Sequence, residues 1–331
     1  MPVVSIVVPC YNEQNTISLL LDAIYSQSYS RSELEVVIAD GMSTDGTRAR
    51  ILDYAQSHPD LLIRIVDNKK RTIPSGLNIA IGAAGGEFIV RLDAHSIPYP
   101  DYIAGCVAAL RQQRGDNVGG VWEIQPGASH WIARAIAAAA SHPIGVGDAR
   151  YRLGGVAQAV DTVPFGAFRK ELVKRVGAYD ESLLTNEDYE FNVRIRQAGG
   201  RIWFDPQIRS VYFSRSTLRQ LFSQYWRYGY WKGRMIRRYP NTLRWRQLLP
   251  PLFVLGILSL AILSIWFPVF CWFLLVVIGI YLLILMLAGV LMAKKKHDGM
   301  LVVGLPLSIG CMHFAWGAAF LWSLLKKPAE R

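Results

Sequence analysis

The stretch FIVRLDAHSIPYP (residues 88–100) decides how the first part of this chain folds. The run Phe88 to Leu92 is typical of a buried strand, and it stops abruptly at Asp93. Residues i and i+2 on an extended backbone point to the same side, so the side chains of Asp93 and His95 can converge at the strand's end. With phosphate oxygens and water completing the shell, they suit Mn²⁺ or Mg²⁺, and the imidazole favours Mn²⁺. A turn-starting aspartate beside a surface histidine is the alternative interpretation.

Strand-like and helix-like segments alternate around this stretch over residues 1–115. The predicted strands are 3–9, 34–40, 62–67 and 87–93, and the predicted helices are 16–27, 45–58 and a segment that begins at 75. Apolar strands alternating with helices imply a parallel sheet covered on both faces. The predicted fold class of this part is therefore α/β, with ligands bound beyond the carboxyl ends of the strands.

Polar clusters follow three of these strands: PCYNE at 9–13, DGMSTDGT at 40–47 and DAHS at 93–96. We expect all three to face one crevice, because parallel strands end at the same edge of a sheet. Asp40 can accept a hydrogen bond from a base or a ribose there, while Asp45 can cap the following helix. A loop closed by its own hydrogen bonds is the alternative for the second cluster.

Two later motifs carry candidate functional side chains. NEDYEF (186–191) begins a helix predicted over 186–200, in which Asn186 is a candidate N-cap. Glu187 and Asp188 in its first turn either offset the helix dipole or supply a general base. QYWRY (224–228) contains an arginine that can grip a diphosphate bidentately or simply lie at an interface.

Residues 209–246 form a region rich in basic and aromatic side chains. No Asp or Glu occurs between Asp205 and Asp298, and the whole chain carries a formal net charge of +11. The basic residues of the region are Arg209, Arg215, Arg219, Arg227, Lys232, Arg234, Arg237, Arg238, Arg244 and Arg246. Interleaved aromatic residues indicate amphipathic helices at an anionic bilayer surface. The same composition is also typical of nucleic-acid binding, but the neighbouring apolar segments favour the membrane and no nucleic acid.

The following part of the chain is long and apolar enough to cross a membrane more than once. Residues 248–292 carry no charge, and roughly 20 residues cross a hydrocarbon layer of about 30 Å. Two spans joined by a hairpin near Pro268 fit this length. KKKH (294–297) follows them, and a third apolar segment covers 301–325.

The positive-inside rule places the segments 209–246 and 294–297 on the cytosolic side. The third apolar segment would then end outside with Lys326 and Lys327, which the rule disfavours. We predict a third span, and a re-entrant or tilted element is the alternative.

The cysteines and the N-terminus narrow the class of protein. Cys10, Cys106, Cys271 and Cys311 are far apart and form no C-x-x-C pair, so we expect reduced thiols without a disulfide framework or a structural zinc site. MPVVSIVVPCYNE (1–13) lacks the basic n-region and the long apolar run of a signal peptide. The part of the chain before the apolar segments is therefore expected to stay in the cytosol.

Over about residues 3–230 these motifs together resemble family 2 glycosyltransferases with the GT-A fold. VSIVVPCYNE (4–13) resembles the family's opening strand and loop. VVIADGMSTDGT (36–47) resembles its D-D-x-S-x-D-x-T nucleotide segment, with Ala39 where the first acid often stands. RLDAHS (91–96) resembles its D-x-D metal site, with His95 in the third position.

The later motifs extend the resemblance. NEDYEF resembles the family's E-D motif, whose aspartate serves as the base, and QYWRY resembles Q-x-x-R-W with Tyr228 replacing the tryptophan. The run Gly76-Leu77-Asn78 resembles the family's segment before the metal strand. The D-x-H variant and the three apolar segments look most like bacterial exopolysaccharide glucosyltransferases of the succinoglycan type.

The resemblance implies roles for individual residues. Asp188 is expected to be the catalytic base with Glu187 beside it, while Asp93 and His95 are expected to hold Mn²⁺ or Mg²⁺. The residues expected to bind the nucleotide sugar are Pro9, Tyr11, Asn12, Glu13, Asp40, Lys69, Arg71, Asn78, Asp93, Gln224 and Arg227.

The resulting prediction has four parts along the chain. Residues 1–215 form a GT-A catalytic domain with a Rossmann-like, mostly parallel sheet, and 216–246 form basic amphipathic interfacial helices. Residues 247–325 form a helical transmembrane region, and 326–331 form a tail. The expected location is the inner (plasma) membrane, with several spans and a cytoplasmic catalytic domain.

The expected function is inverting transfer of a sugar, glucose or a related hexose, from a UDP-linked donor to a polyprenyl-linked saccharide. Transfer onto polyprenyl phosphate itself is one alternative, and a non-catalytic, nucleotide-sensing membrane scaffold is another. A dinucleotide dehydrogenase is disfavoured because no G-x-G-x-x-G follows the first strand, and the chain has no Walker A loop.

Overall fold

A computed structural model describes residues 2–326 of the chain, except for the side chain of Asn241. Of the predicted tail, only Lys326 is described, and Lys327 lies outside the described residues. The described chain divides into two compact units. The first comprises residues 2–123 and 150–212, and the second comprises residues 124–149 and 213–326.

The described residues form nine strands and thirteen α-helices, with two short 3-10 helices at Arg31–Glu33 and Pro240–Thr242. The strands are β1 Val4–Cys10, β2 Leu34–Asp40, β3 Leu62–Asp67, β4 Phe88–Arg91, β5 Ile97–Pro98, β6 Asn117–Gln125, β7 Gln158–Ala159, β8 Ala167–Arg169 and β9 Ile202–Phe213. The helices are α1 Ile17–Tyr25, α2 Thr47–Ser57, α3 Ile73–Ala83, α4 Tyr102–Arg111, α5 Trp131–Ala140, α6 Pro143–Val146, α7 Arg150–Leu153, α8 Leu172–Val176, α9 Glu187–Gln197, α10 Leu218–Ile236, α11 Trp245–Leu263, α12 Val269–Lys296 and α13 Leu301–Leu325.

The strands form one mixed sheet in the order β3-β2-β1-β4-β8-β6-β9-β5, and β7 pairs with β9. β1 is parallel to β2 and β4, and β2 is parallel to β3. β8 is antiparallel to β4 and β6, and β9 is antiparallel to β5 and β7. The predicted α/β class is confirmed. The parallel strands are β1, β2, β3 and β4. Parallel neighbours need crossover connections, and α1, α2 and α3 supply them here.

Alternate residues of β1 enter two different hydrophobic clusters. Val4 and Val8 pack with side chains of α1, α2 and α4, whereas Val7 packs with Leu77 of α3 and Phe191 of α9. All five side chains are fully buried, and burial of a side chain of this size contributes about 1.5–3 kcal/mol. Burial on both sides explains why β1 is apolar throughout instead of alternating with polar residues.

Two elements end earlier in the structure than the sequence predicted, and each has a local cause. The strand predicted over 87–93 ends at Arg91, because the chain turns at Asp93, whose carbonyl accepts a hydrogen bond from Ser96 N at 2.9 Å. The helix predicted over 186–200 ends at Gln197, and Gly199 follows with φ of 79°. A positive φ of this size is typical of a glycine just beyond a helix.

The second unit is helical, and α13 lies at its centre. Leu305, Met312 and Ala315 of α13 are fully buried in a cluster with Ala135 of α5 and Leu285 of α12. By length and composition, α11, α12 and α13 could each cross a membrane. The hairpin predicted near Pro268 is present between α11 and α12.

The predicted interfacial segment 216–246 contains one long helix, α10. Its start is fixed by a capping box in which Thr217 Oγ1 accepts from Gln220 N at 3.3 Å. The 3-10 helix Pro240–Thr242 follows it, and α11 begins at Trp245. The apolar helix therefore begins two residues before the predicted boundary at 247.

Candidate active site

The candidate site lies in the first unit, at the edge of the sheet where β1, β2 and β4 end. The three strands are neighbours and parallel, so the segments after Cys10, Asp40 and Arg91 leave the sheet at the same edge. The polar clusters that follow these strands in the sequence therefore emerge side by side.

The loops after β1 and β2 hold each other through hydrogen bonds. Asn12 N donates to Ser43 Oγ at 2.9 Å, and Asn12 Oδ1 accepts from Thr44 N at 2.9 Å. Glu13 N donates to Thr47 Oγ1 at 2.8 Å. Asn12 has a φ of 54°, a left-handed conformation that asparagine tolerates better than most residues. This asparagine, predicted to bind the nucleotide sugar, thus fixes the shape of the loop pair.

Asp40 is fully buried at the end of β2. Its carboxylate accepts hydrogen bonds from Ser43 N at 3.1 Å and Ser43 Oγ at 2.5 Å, and Arg48 Nε lies 3.3 Å away. The loop closed by its own hydrogen bonds, which was the alternative from the sequence, is therefore present. The role of Asp40 toward a nucleoside remains a prediction.

An exposed surface lies beside this loop. The guanidinium of Arg71 lies 5.8 Å from the centre of the Tyr11 ring, within the range of a cation–π contact. A Cβ atom on Gly41 would come within 3.1 Å of Tyr11 Cδ2, so a glycine lets the ring lie against the loop. Pro9 is partly buried in β1, and Lys69 is exposed between β3 and α3.

Asp93 and His95 lie just beyond β4. The Asp93 side chain is 26% exposed and that of His95 is 41% exposed, so a ligand can reach both. His95 Nδ1 lies 3.1 Å from Glu13 Oε1. A carboxylate on one ring nitrogen is the usual support of a metal-binding histidine. The pair therefore fits Mn²⁺ or Mg²⁺.

Glu13 was predicted to bind the nucleotide sugar, and the structure places its carboxylate on His95. Burial tends to raise the pKa of Glu13, but hydrogen bonds with His95 and Thr16 outweigh it and lower the pKa. Glu13 is thus ionised and able to orient the imidazole. Within residues 2–326 no cluster of three or more His, Cys, Asp or Glu side chains could hold a metal.

Arg91 is a central residue of the site, and sequence reasoning missed it. It is 4% exposed, and its Nη2 lies 2.9 Å from Glu187 Oε1 and 3.4 Å from Asp93 Oδ1. One guanidinium thus connects the candidate metal strand with the acidic pair of α9. The sequence carried a signal for it, because an arginine inside the apolar run FIVRL requires a buried partner.

Glu187 and Asp188 occupy the first turn of α9. Burial raises the pKa of Glu187 to about 6, although Arg91 opposes the rise. Burial also raises the pKa of Asp188, again opposed by Arg91, with the charge of Asp93 adding to the rise. Asp188 is half-buried, and its Oδ1 accepts from Tyr189 N at 2.7 Å. A partly accessible carboxylate with a raised pKa suits a general base.

Asn78 was predicted to bind the nucleotide sugar, and this assignment stays a prediction. Asn78 Nδ2 donates to Tyr179 O at 2.9 Å and to Glu181 Oε1 at 3.1 Å, and Asn78 Oδ1 accepts from Tyr179 N at 2.9 Å. Lys70 forms an ion pair with Glu181 at 2.7 Å. Asn78 therefore attaches α3 to the segment before α9.

Gln224 and Arg227 lie on α10, in the second unit. Gln224 is 6% exposed, and its Nε2 donates to Tyr228 Oη at 3.0 Å. Arg227 is exposed. Tyr228 stands where the resembling motif has tryptophan, and its hydroxyl supplies the contact to Gln224. The assignment of both residues to the donor diphosphate remains a prediction.

The fold has counterparts among solved structures. The mannosyltransferase PcManGT from Pyrobaculum calidifontis, solved with GDP-Man and Mn²⁺, superposes with a TM-score of 0.61 at 22% identity, covering 94% of this chain and 87% of that one. The TarS 1–349 fragment from Staphylococcus aureus, solved with UDP-GlcNAc, gives a TM-score of 0.51 at 20% identity, covering 65% and 59%. At these identities the likeness concerns the fold, and it confirms the expected GT-A architecture.

Relatives of known description match along the whole chain. The succinoglycan biosynthesis protein ExoA of Rhizobium meliloti (strain 1021) is 33% identical over 324 residues, which is 97% of this chain and 94% of that protein. A dolichyl N-acetyl-alpha-D-glucosaminyl phosphate 3-beta-D-2,3-diacetamido-2,3-dideoxy-beta-D-glucuronosyltransferase of Methanococcus voltae is 27% identical over 98% of both chains.

The family model of glycosyl transferase family 2 matches residues 5–177, which include the strand ends, Arg91, Asp93 and His95. The match covers more than half of the chain, and the resemblance drawn from the motifs is confirmed. This protein belongs to glycosyl transferase family 2, whose members act on nucleotide sugars in polysaccharide or glycan biosynthesis.

Proposed function

We propose that this protein is an inverting hexosyltransferase that moves glucose or a related hexose from a UDP-linked donor to a polyprenyl-linked saccharide. One observation carries the proposal. Arg91 bridges Asp93, a candidate metal ligand, and Glu187, which directly precedes the candidate base Asp188. The candidate groups for the leaving diphosphate and for the attacking hydroxyl thereby lie on either side of one buried guanidinium.

Asp188 accepts the proton of the acceptor hydroxyl as that oxygen attacks the anomeric carbon. The new bond joins the acceptor oxygen to this carbon, and the bond to the donor diphosphate breaks with its electron pair on the nucleoside diphosphate. One base and no protein nucleophile correspond to a single displacement, which inverts the configuration at the anomeric carbon.

Asp93 and His95 would hold Mn²⁺ or Mg²⁺. When bound, the ion neutralises negative charge that develops on the leaving diphosphate. Glu13 orients the imidazole of His95 through Nδ1. Arg91 keeps the carboxylate of Asp93 in place from inside the sheet.

The donor nucleoside is expected to lie on the surface formed by Tyr11 and Arg71, above the loop that Asp40 closes. An exposed aromatic ring with a guanidinium over it presents flat faces against which a base can stack. Pro9 and Asn12 shape this loop pair, and Lys69 supplies charge nearby along the chain. The assignment of Gln224 and Arg227 to the diphosphate rests on the resemblance of QYWRY to Q-x-x-R-W alone.

A lipid-linked acceptor is supported by two observations. Three helices are long and apolar enough to cross a membrane, so a membrane acceptor would be met in two dimensions. The relative from Methanococcus voltae is named for transfer to a sugar carried on dolichyl phosphate. By the positive-inside rule we propose the inner membrane, with the catalytic unit on the cytoplasmic side.

The test is a panel of UDP- and GDP-linked sugars offered to the detergent-solubilised full chain with Mn²⁺, scored by release of nucleoside diphosphate. We expect one UDP-hexose to be used and release to disappear in Asp93→Ala and Asp188→Ala. Release that is unchanged in both variants would overturn the proposal, and no release with any donor would support the nucleotide-sensing scaffold.

The acceptor is tested separately with the preferred donor. Polyprenyl diphosphate carrying a saccharide and bare polyprenyl phosphate are offered in parallel, and the lipid products are identified by mass spectrometry. We expect a lengthened saccharide on the first lipid. A sugar monophosphate lipid formed from the second would replace the proposed acceptor by polyprenyl phosphate.

A further inference from the structure

The three apolar helices of the second unit are packed very differently. In the most apolar part of each helix, 11% of α11, 17% of α12 and 44% of α13 is buried by the rest of the protein. More of the protein therefore packs on α13 than on α11 or α12, and its contacts with these two helices show where it lies.

The position of α13 can be described by the depth of the α11 and α12 residues that it contacts. The rings of Phe253 and Tyr281 lie 4.4 Å apart, which sets these residues at the same depth in the two antiparallel helices. Trp245 lies eight residues before Phe253, and Gly289 lies eight residues after Tyr281. Both therefore lie at the same end of the hairpin, here called the open end, opposite the connection at 264–268.

The first turn of α13 lies at the open end. A Cβ atom on Gly289 would come within 2.7 Å of Val302 O and 3.1 Å of Leu301 O, so the start of α13 packs directly on this part of α12. The start of α13 also contacts α5, because a Cβ atom on Gly304 would come within 2.5 Å of Ala135 Cβ.

The middle of α13 lies at the depth of the Phe253–Tyr281 pair, where His313 Nδ1 is 3.0 Å from Tyr281 Oη. Residues of its second half contact α11 closer to the open end. Trp316 Nε1 donates to Gln247 O at 3.1 Å, and a Cβ atom on Gly317 would come within 2.5 Å of Pro250 O. Gln247 and Pro250 belong to the first two turns of α11. A helix that followed the hairpin across the membrane would instead approach the end of α11 with these residues.

The C-terminus of α13 is held by the segment that leads into α11. Arg237 Nη2 donates to Ser323 O at 2.8 Å, Leu324 O at 2.9 Å and Lys326 O at 3.1 Å. These carbonyls have no partner within the helix, and a guanidinium there also offsets the negative end of the helix dipole. Arg237 precedes the start of α11 by eight residues.

Helix α10 runs parallel to the second half of α13. Leu218 O lies near Cys311 Sγ at the start, and Cβ atoms on Gly229 and Gly233 would meet Trp316 O at 2.3 Å and the Ser323 side chain. The basic residues of α10 are Arg219, Arg227, Lys232 and Arg234. Arg and Lys side chains are unfavourable in the middle of a bilayer, so we do not expect α10 to accompany α13 through the hydrocarbon.

The remaining exposed side of α13 is apolar. Val303, Leu307, Phe314 and Leu325 are 41–80% exposed and recur at spacings that place them along one face of the helix. An amphipathic pair with arginines on one member and an apolar stripe on the other is suited to the boundary between lipid headgroups and acyl chains.

We propose that α13 does not cross the membrane. It lies with α10 as a layer in the headgroup boundary of one leaflet, and only α11 and α12 cross. Lys326 then emerges on the same side as Lys295, and the connection at 264–268 lies on the opposite side. The third span expected from the sequence is replaced by the in-plane alternative, which also removes the conflict with the positive-inside rule at Lys326.

The test places single cysteines by Lys326→Cys, Lys295→Cys or Trp266→Cys in the full chain after replacement of Cys10, Cys106, Cys271 and Cys311 by alanine. Inverted vesicles and spheroplasts are treated with a membrane-impermeant maleimide. We expect Lys326→Cys and Lys295→Cys to be labelled in the same preparation, at least tenfold more than in the other, and Trp266→Cys in the opposite preparation.

Labelling of Lys326→Cys together with Trp266→Cys would overturn the proposal. A second readout keeps the proposal falsifiable if the cysteine-free chain does not fold. Green fluorescent protein or alkaline phosphatase is fused after Arg331 of the unaltered chain, and after Lys295 as a reference. The same reporter must be active at both positions, and a different active reporter at the two positions would refute the in-plane position of α13.

Discussion

At the strand ends of the first unit, a buried arginine lies between two carboxylates, whereas in the second unit two glycines let one helix approach the backbone of another. Arg91 contacts Asp93 and Glu187 through charge. Gly229 contacts the backbone of Trp316 through the absence of a side chain. The first arrangement depends on the chemical identity of its groups, and the second depends on their volume. A substitution that keeps the shape of a side chain but removes its charge should therefore disturb the first arrangement. A substitution that adds volume should disturb the second.

The largest effect is expected from Asp188→Asn, which keeps the shape of the side chain and removes the proposed base. We expect kcat to fall about 10³-fold, within the range that general bases contribute, with an unchanged melting temperature. The measurement is release of nucleoside diphosphate in the presence of acceptor. Asp53→Asn makes the same chemical change on the exposed face of α2 and should leave the rate unchanged. A similar loss in both variants would contradict the assignment.

Arg91→Met should affect stability as well as activity, because it leaves the carboxylate of Glu187 buried without its partner. Breaking a buried pair in this way costs about 3–5 kcal/mol in the free energy of unfolding. Adding Glu187→Gln removes the stranded charge and should restore most of the stability without restoring the rate. Thermal unfolding and nucleotide release measure the two effects, and restoration of both would mean that Arg91 serves the fold alone.

The pH dependence of kcat/KM provides the next test of the charges around Arg91. Asp188 must be ionised to act as a base, so kcat/KM falls as the pH drops through its pKa, which burial raises above the usual value of about 3.9. Arg91, Glu187 and Asp93 are the charged groups that face it. Arg91→Met removes the cation that opposes the rise, so the acid limb should move to higher pH, while Arg91→Lys should move it less. An identical acid limb in all three proteins would contradict this account.

In the second unit, Gly229→Ala tests whether α10 packs closely against the backbone of α13. A Cβ atom there would lie 2.3 Å from the backbone oxygen of Trp316, which cannot rotate away. We expect a loss of about 1–3 kcal/mol from this overpacking, although alanine favours a helix by about 1 kcal/mol. Gly256→Ala in α11 has open space and should be neutral or stabilising. Equal melting temperatures for the two variants in detergent would show that α10 and α13 are not closely packed.

The smallest effect is expected from Ser43→Ala, which removes one of the hydrogen bonds to Asp40. A hydrogen bond to a charged group contributes about 1.5–3 kcal/mol, but Arg48 and the Ser43 backbone amide still hold the carboxylate. We therefore expect the donor KM to rise about fivefold with kcat retained. A change in kcat alone would separate this loop from donor binding.

Local pattern predicted the part of the site that depends on neighbouring residues. The alternation of apolar strands and helices placed the ends of β1, β2 and β4 at one edge. The i, i+2 argument for Asp93 and His95 assumed extended backbone, whereas the chain turns at Asp93. The partner of Arg91 was beyond such reasoning, because Glu187 lies 96 residues further along the chain. The contacts of Glu13 with His95 and of Asn78 with the Tyr179 backbone likewise join residues that are distant in the sequence.

The sequence by itself determined that a parallel run of strands ends in polar clusters and that three long apolar helices follow, because periodicity and composition are local properties of a chain. The tertiary structure decided which carboxylates share the guanidinium of Arg91 and which apolar helix is buried beneath α10. The physical reason is the same in both cases. A buried charge and a helix face each take their position from partners that the fold brings near, and no local pattern specifies those partners.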